Sequence, residues 1–274
     1  MTAGCGHGAQ ANCFLPEATP PQRAATLAQP TLGTAARDLA AALFDGDLDR
    51  AEALLRHDRA LAGVRVGPHH DMLAVAVASC DPRAVTLLLR HGAPPDGDGT
   101  GVPLGLALMA RTPDLAHALL AGGASATPAG SPLGPFRTAI TAGSQGGVRL
   151  LLDMHGDPDI ADRLGHRPLL IALDTERFRI AELLLDRGAD PWAIDSGGGN
   201  LGTAAYTPMV TADAEEAAAQ RRLRTRLSRL GWPAPPPSPE RVRALALDRQ
   251  WPPAGVKAPP VPAALLAVMA ANRR

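Results

Sequence analysis

Few places in this chain of 274 residues gather side chains capable of chemistry. His69-His70-Asp71 sets two imidazoles beside a carboxylate, the groups that hold a divalent metal or relay a proton. Gly197-Gly198-Gly199-Asn200-Leu201-Gly202-Thr203 has the glycine content of a phosphate cradle, but it lacks the Lys-Ser/Thr pair and the preceding strand of a βαβ unit. Cys5, His7 and Cys13 offer soft ligands, yet their spacing is not that of a zinc module and a fourth ligand is missing. His155 falls where a helix should end, a favourable place for an imidazole near the negative end of the dipole. No serine-nucleophile motif and no specific carboxylate pair occurs. These groups are expected to form a solvated finger loop, a flexible joint, a polar leader and a helix terminus. No catalytic residue, metal site or cofactor is expected, and the chain is expected not to be an enzyme.

The elements that would carry these residues show a period. Five segments end an apolar stretch with a leucine pair and a turn residue: Leu54-Leu55 with Asp58, Leu88-Leu89 with Gly92, Leu119-Leu120 with Gly123, Leu151-Leu152 with His155, and Leu184-Leu185 with Gly188. An alanine stands sixteen residues before each turn, at Ala42, Ala76, Ala107, Ala139 and Ala172. The spacing predicts a helix, a tight reversal and a second helix in each unit. The small residue lets the first helix approach its neighbours, and the leucine pair supplies the larger contact between repeats. Gly92, Gly123 and Gly188 suit a left-handed helix end, whereas Asp58 and His155 must either accept strain there or cap otherwise.

Gly165-His166-Arg167-Pro168-Leu169-Leu170-Ile171-Ala172 followed by Ala181-Glu182-Leu183-Leu184-Leu185-Asp186-Arg187-Gly188-Ala189-Asp190 resembles the ankyrin repeat, with its G-x-T-P-L-H-x-A, L-L and G-A-D elements. Pro103-Leu104, Pro135-Phe136, Gly92-Ala93 and Gly123-Ala124 echo it, so the resemblance covers about residues 34–197. It implies an all-α solenoid of about five helical hairpins. Arg167 and Leu170, and likewise Val102 and Gly105, replace the Thr and His that usually tie the loop to the helix, so looser fingers are expected. The resemblance further implies a protein-interaction module, an adaptor, inhibitor or regulator, that grips an unidentified protein partner by a concave groove and finger loops. Its partner-facing residues would be Leu106, Met109, Ile171, Asp174, Arg137 and Arg167, with Asp96 and Asp98 as an acidic finger tip. An exposed strip of Leu106, Met109 and Ile171 needs a cover, either a partner segment or the chain's own closing segment. Trp192 is either a further anchor or packed under the C-terminal helix. The resemblance also permits a secreted bacterial effector or a toxin-immunity protein.

Four segments are expected: a disordered leader over 1–33, the array over 34–197, a capping helix over 198–232 that starts at Asp213 and Glu216, and a Pro-rich linker with short helices over 233–274. Aromatics make up only 3% of the chain, so the core must be aliphatic. The formal net charge of +0 conceals two halves: residues 1–220 carry sixteen arginines against twenty-five carboxylates, and residues 221–274 carry eleven cations against two. The basic tail is expected to dock on the acidic array and to loosen in salt. Arg221, Arg222, Arg224, Arg226 and Arg229 could instead meet an anionic or nucleic-acid partner, but without interleaved aromatics and against the acidic excess elsewhere nucleic acid is not expected. Three cysteines cannot build a disulfide framework, and no apolar run reaches the roughly 20 residues of a membrane span, so a cytoplasmic protein is expected. Lys257 is the only lysine among many arginines, which points to a high-GC bacterial genome.

Overall fold

The computed structural model describes residues 13–271, and the chain divides into two compact units, Met1–His155 and Gly156–Arg274. Cys5 and His7 lie outside the described residues. In the first unit, α1 (Arg23–Leu27) precedes four helical hairpins. The first pairs α2 (Thr34–Asp45) with α3 (Leu48–His57) and leads through a 3-10 turn (Arg59–Gly63) to the two-residue strands β1 (Arg65–Val66) and β2 (His70–Asp71). The others are α4 (Met72–Ala78) with α5 (Pro82–Arg90), α6 (Val102–Ala107) with α7 (Asp114–Ala121), and α8 (Gly134–Thr141) with α9 (Gln145–Asp153).

Local chemistry sets the helix ends. Asp47, Asp81 and Ser144 accept the backbone N–H of Arg50, Arg83 and Gly147 at 3.0, 2.9 and 3.1 Å, opening α3, α5 and α9. Pro103 and Pro135 sit in the first turns of α6 and α8, where a missing N–H costs nothing. Gly92 and Gly123 take left-handed φ of 93° and 96° as expected. His155 accepts the same conformation at φ 62°, a strain on the order of 1–2 kcal/mol for a side chain with Cβ. Asp58 takes the other course: it is extended at φ −142° and caps the 3-10 turn by accepting the N–H of Ala60.

The repeated alanines, Ala42, Ala76, Ala107 and Ala139, are buried where the first helices meet, and Leu55, Leu88, Leu119 and Leu151 are fully enclosed. Each such leucine contributes roughly 1.5–3 kcal/mol of transfer free energy, so many thin contacts replace one thick centre.

The expectation of a disordered leader is corrected for residues 13–33, and with it the reading of the cysteines. Cys13 and Cys80 form a disulfide across 67 positions. The segment from Cys13 runs back along the reversal loops. Arg111 donates its N–H to the Cys13 carbonyl, Leu15 donates to the Met109 carbonyl at 2.8 Å, and Phe14 is buried in a bridge to Ala110. Farther on, Arg23 pairs with Asp45 at 2.9 Å and α1 packs on α2. The physical reason is twofold: the first hairpin has an outer flank, on which α1 packs, and Phe14, which is buried in its bridge to Ala110, and Leu32 supply apolar mass that the polar composition of the segment obscures. With Cys13 and Cys80 joined, the cysteines no longer favour a reducing compartment.

In the second unit, α10 (Pro168–Asp174) and α11 (Phe178–Asp186) form the fifth hairpin. They are followed by α12 (Leu201–Tyr206), α13 (Ala214–Leu230), α14 (Pro239–Leu247) and α15 (Ala263–Ala271). The sequence reading of a single capping helix over 198–232 missed α12, which Asn200 caps by accepting the N–H of Thr203 at 2.8 Å. Since α12 packs on α10 and α13 on α11, the two make a sixth, irregular hairpin. The glycine run before α12 is no flexible joint: Asp195 accepts the N–H of Gly197 and Gly199, and a Cβ on Gly198 would lie 2.0 Å from the Pro239 carbonyl oxygen.

All three tryptophans of the chain meet here. Trp192 stacks on Trp232 with ring centroids 4.6 Å apart and planes 1° from parallel, and Trp251 stands edge-on to both at 5.5 and 5.4 Å. The Trp251 indole donates to the Trp192 carbonyl at 3.0 Å. A Cβ on Gly202 would lie 2.5 Å from the Trp232 ring, so glycine is what seats it. Around this cluster Arg222 pairs with Glu182 and Arg226 with Asp186, joining α13 to α11.

Replacing Trp192 with alanine should cost about 3–5 kcal/mol in urea unfolding of the second unit. Arg222→Ala or 1 M salt should leave the midpoint nearly unchanged, because exposed ion pairs are screened and weak. Reducing Cys13–Cys80 should destabilise the first unit by about 2–4 kcal/mol, read in the same assay with and without dithiothreitol.

Candidate interaction surface

The surface available for recognition is what remains after the repeats have satisfied one another. Leu106, Met109 and Ile171 do not form an exposed strip; all three are buried. Small neighbours such as Ala107 and Ala172 bring adjacent backbones so close that little side chain protrudes, and the backbone of Met109 is further covered by residues 13–15. Residues 13–15 of the chain's opening segment, a cover the sequence did not suggest, pair with the backbone on either side of Ala110. Trp192 is likewise buried, as the centre of the tryptophan cluster.

The polar candidates tie loop to loop. In the first unit, Asp98 pairs with Arg65 of β1 at 2.9 Å and accepts the hydroxyl of Thr100, while Asp96 accepts the N–H of Ser125 at 2.7 Å. Gly130 donates to the Gly99 carbonyl. In the second unit, Asp159 accepts the N–H of Asp190 at 3.0 and 3.2 Å and pairs with Arg167 at 3.3 Å. Asp190 in turn accepts the N–H of Trp192 at 2.9 Å. The fingers are thus held by side chains one repeat apart, and not looser as the missing Thr and His predicted. Sequence reading missed Arg65, Ser125 and Asp159, although separations of 33, 29 and 31 residues, close to the repeat period, were the available signal.

The electrostatics follow this wiring. The Thr100 hydroxyl and the Arg65 guanidinium hold the Asp98 carboxyl below its ordinary range. Burial pushes Asp190 up, with the charge of Asp159 adding to it. Burial raises Asp162, but the hydrogen bond from His166 at 2.8 Å and adjacent N–H groups outweigh it and its carboxyl sits low. Burial likewise raises Asp71, which accepts the N–H of Ala74 at 2.8 Å and so caps α4. His69-His70-Asp71 is therefore a strand end and a helix cap, and among the described residues no three metal-ligating side chains gather.

Three candidates are exposed to solvent: Asp98, already tied to Arg65, and Arg137 and Asp174. Arg137 lies exposed on α8. Asp174 ends α10 at the lip of a cavity of about 290 Å³ lined also by Glu176, Asn200 and Thr203. Although Asp174 is exposed as a residue, burial of its carboxyl against that cavity, and then the charge of Asp195, raise its pKa. On α13, Arg224 donates to the Ala205 carbonyl and lies 5.2 Å from the Tyr206 ring centre, so with Arg222 and Arg226 three of the five clustered arginines are engaged within their own unit. No helix among the described residues is long and apolar enough to cross a membrane.

No protein-family model matches the chain, and no curated protein matches its sequence. Among solved structures it is similar to the ankyrin repeat domain of Bcl-3, a member of the IkappaB protein family. The two are 25% identical, with a TM-score of 0.57 over 70% of this chain and 85% of that one. The fold is an all-α ankyrin-repeat solenoid with a helical C-terminal extension.

Asp98 has a lowered folded pKa, so its stabilisation is complete above the unfolded value near pH 4 and is lost as pH falls through the folded value. Amide exchange in residues 96–100 should accordingly rise between pH 5 and pH 2 relative to helices of the same unit. Asp98→Asn should show the raised exchange already at neutral pH.

Proposed function

We propose that this ankyrin-repeat chain is a non-catalytic protein-interaction module, an adaptor, inhibitor or regulator. One observation carries the reading: the scaffold already holds an extended peptide, its own residues 13–15, by backbone hydrogen bonds to Met109 and Arg111. Recognition of an added strand by backbone pairing is a common mode of peptide binding. The fold supports interaction in general, because stacked hairpins offer a long rigid face. On this reading each unit offers its own contact to a partner, Arg137 in the first and Asp174 in the second; Asp96 and Asp98 hold the fingers of the first unit and Arg167 that of the second, while Leu106 and Met109, and likewise Ile171 and Trp192, are buried supports within their own units. The ion pairs of Arg222 and Arg226 favour the C-terminal helix as an internal brace over a nucleic-acid reader.

Tagged full-length protein should recover at least one protein from the cell that makes it, and Arg137→Glu or Asp174→Arg should reduce that recovery at least tenfold while leaving the circular dichroism spectrum intact. Identical recovery by wild type and both variants would refute the assignment of these two partner contacts.

A further inference from the structure

The helices of the array leave one opening that its own packing does not explain. A cavity of about 540 Å³ lies in the first unit between the reversal of the third hairpin and the start of α9. Its volume falls within the usual range of ligand pockets. Leu15, Leu108, Ala116, Leu150 and Met154 give it an apolar lining. Arg111 and Arg149 stand on the lining, both exposed, and neither makes an ion pair with a described residue. The lining has a single carboxylate, Asp153, which is itself engaged, and one further basic group, His117.

Gly146 is what leaves the space. Aligning the leucine pairs places it where the other second helices carry Asp49, Arg83, Asp114 and Arg179. Glycine ranks last among non-proline residues within a helix, and this helix has two in succession. The second has a packing reason: a Cβ on Gly147 would lie 2.7 Å from the Ser144 oxygen and 2.8 Å from the Leu108 carbonyl oxygen. Gly146 has none, since a Cβ there would meet nothing within 4 Å. A glycine in the first turn that satisfies no contact and lines an apolar cleft keeps that cleft open to an occupant. Two arginines whose side chains make no ion pair with a described residue give that occupant its charge.

We infer that the cleft between the third and fourth hairpins binds a partner's peptide segment carrying leucine-type side chains flanked by carboxylates. The apolar side chains enter beside Ala116, Leu150 and Met154, and the carboxylates meet Arg111 and Arg149. This rests on the reading of the chain as an interaction module and places one of its binding sites away from the finger loops. Leu15 forms part of the wall, so the disulfide-held opening segment completes the site.

The test measures fluorescence anisotropy of the full-length, oxidised protein with two labelled ten-residue peptides, one with a leucine core flanked by aspartates and one with lysines in their place. Oleate is titrated separately by calorimetry. The aspartate peptide should bind, and the lysine peptide at least tenfold more weakly. Gly146→Leu, which refills the cleft, should weaken the aspartate peptide at least tenfold while Tm stays equal or rises. Arg111→Glu with Arg149→Glu should reverse the preference between the peptides, which keeps the inference testable should Gly146→Leu lower Tm. Equal binding of both peptides by wild type, unchanged affinity in Gly146→Leu at unchanged Tm, binding of oleate alone, or no binding of any probe overturns the inference. A partner protein lost by Arg137→Glu but retained by Gly146→Leu would sink the cleft and leave the interaction-module reading standing.

Discussion

A two-helix hairpin cannot enclose its own apolar side chains; it buries them only against the hairpins on either flank, so a stack of such units always has outer flanks to close. Much of the structure answers that constraint. On the N-terminal side α1 packs on α2, with Leu32 buried just before α2 begins, while residues 13–15, fixed by Cys13–Cys80 and the Phe14 bridge, cover the reversals. On the C-terminal side the fifth hairpin is covered by the irregular pair α12 and α13, over which Trp192, Trp232 and Trp251 close. A chain with 3% aromatic residues places all its tryptophans at that closure, where an aliphatic repeat would have no neighbour to interdigitate with.

The same constraint explains why the polar candidates serve the fold first. Backbone groups in the fingers have no helix or sheet to satisfy them, so Asp96, Asp98 and Asp159 reach one repeat along to N–H groups and guanidinium groups there. Glu216 illustrates the economy within the second unit. It lies where a capping box would turn it back on its own helix, yet it accepts the N–H of Arg179 and so caps α11, whose own N-cap residue Arg177 offers no acceptor. Burial raises its pKa, opposed by that backbone hydrogen bond. The segregation of charge between the chain's halves then has a local meaning: Arg222 and Arg226 on α13 face Glu182 and Asp186 on α11.

How far the sequence could be read varies with the range of the interaction. The hairpins, the helix start at Asp213 and the left-handed glycines at 92, 123 and 188 were legible, because each depends on residues within one or two turns. The finger ties were legible in principle, since they recur at about the repeat period. Burial of Leu106 and Met109 was not: register predicts which way a side chain faces but not how near the next backbone comes. The disulfide was hidden by an odd cysteine count, and the meeting of three tryptophans by separations of 40 and 19 residues that no periodicity links.

The sequence by itself therefore determined the repeat, the helix limits and the aliphatic composition of the core, all set by short-range sterics and hydrogen bonding. Only the tertiary structure decided which faces stay open. That choice turned on whether the opening segment lay along the reversals, on where the tryptophans met, and on the gap left at Gly146. Each is a packing outcome between elements distant in the chain, and no local propensity encodes it.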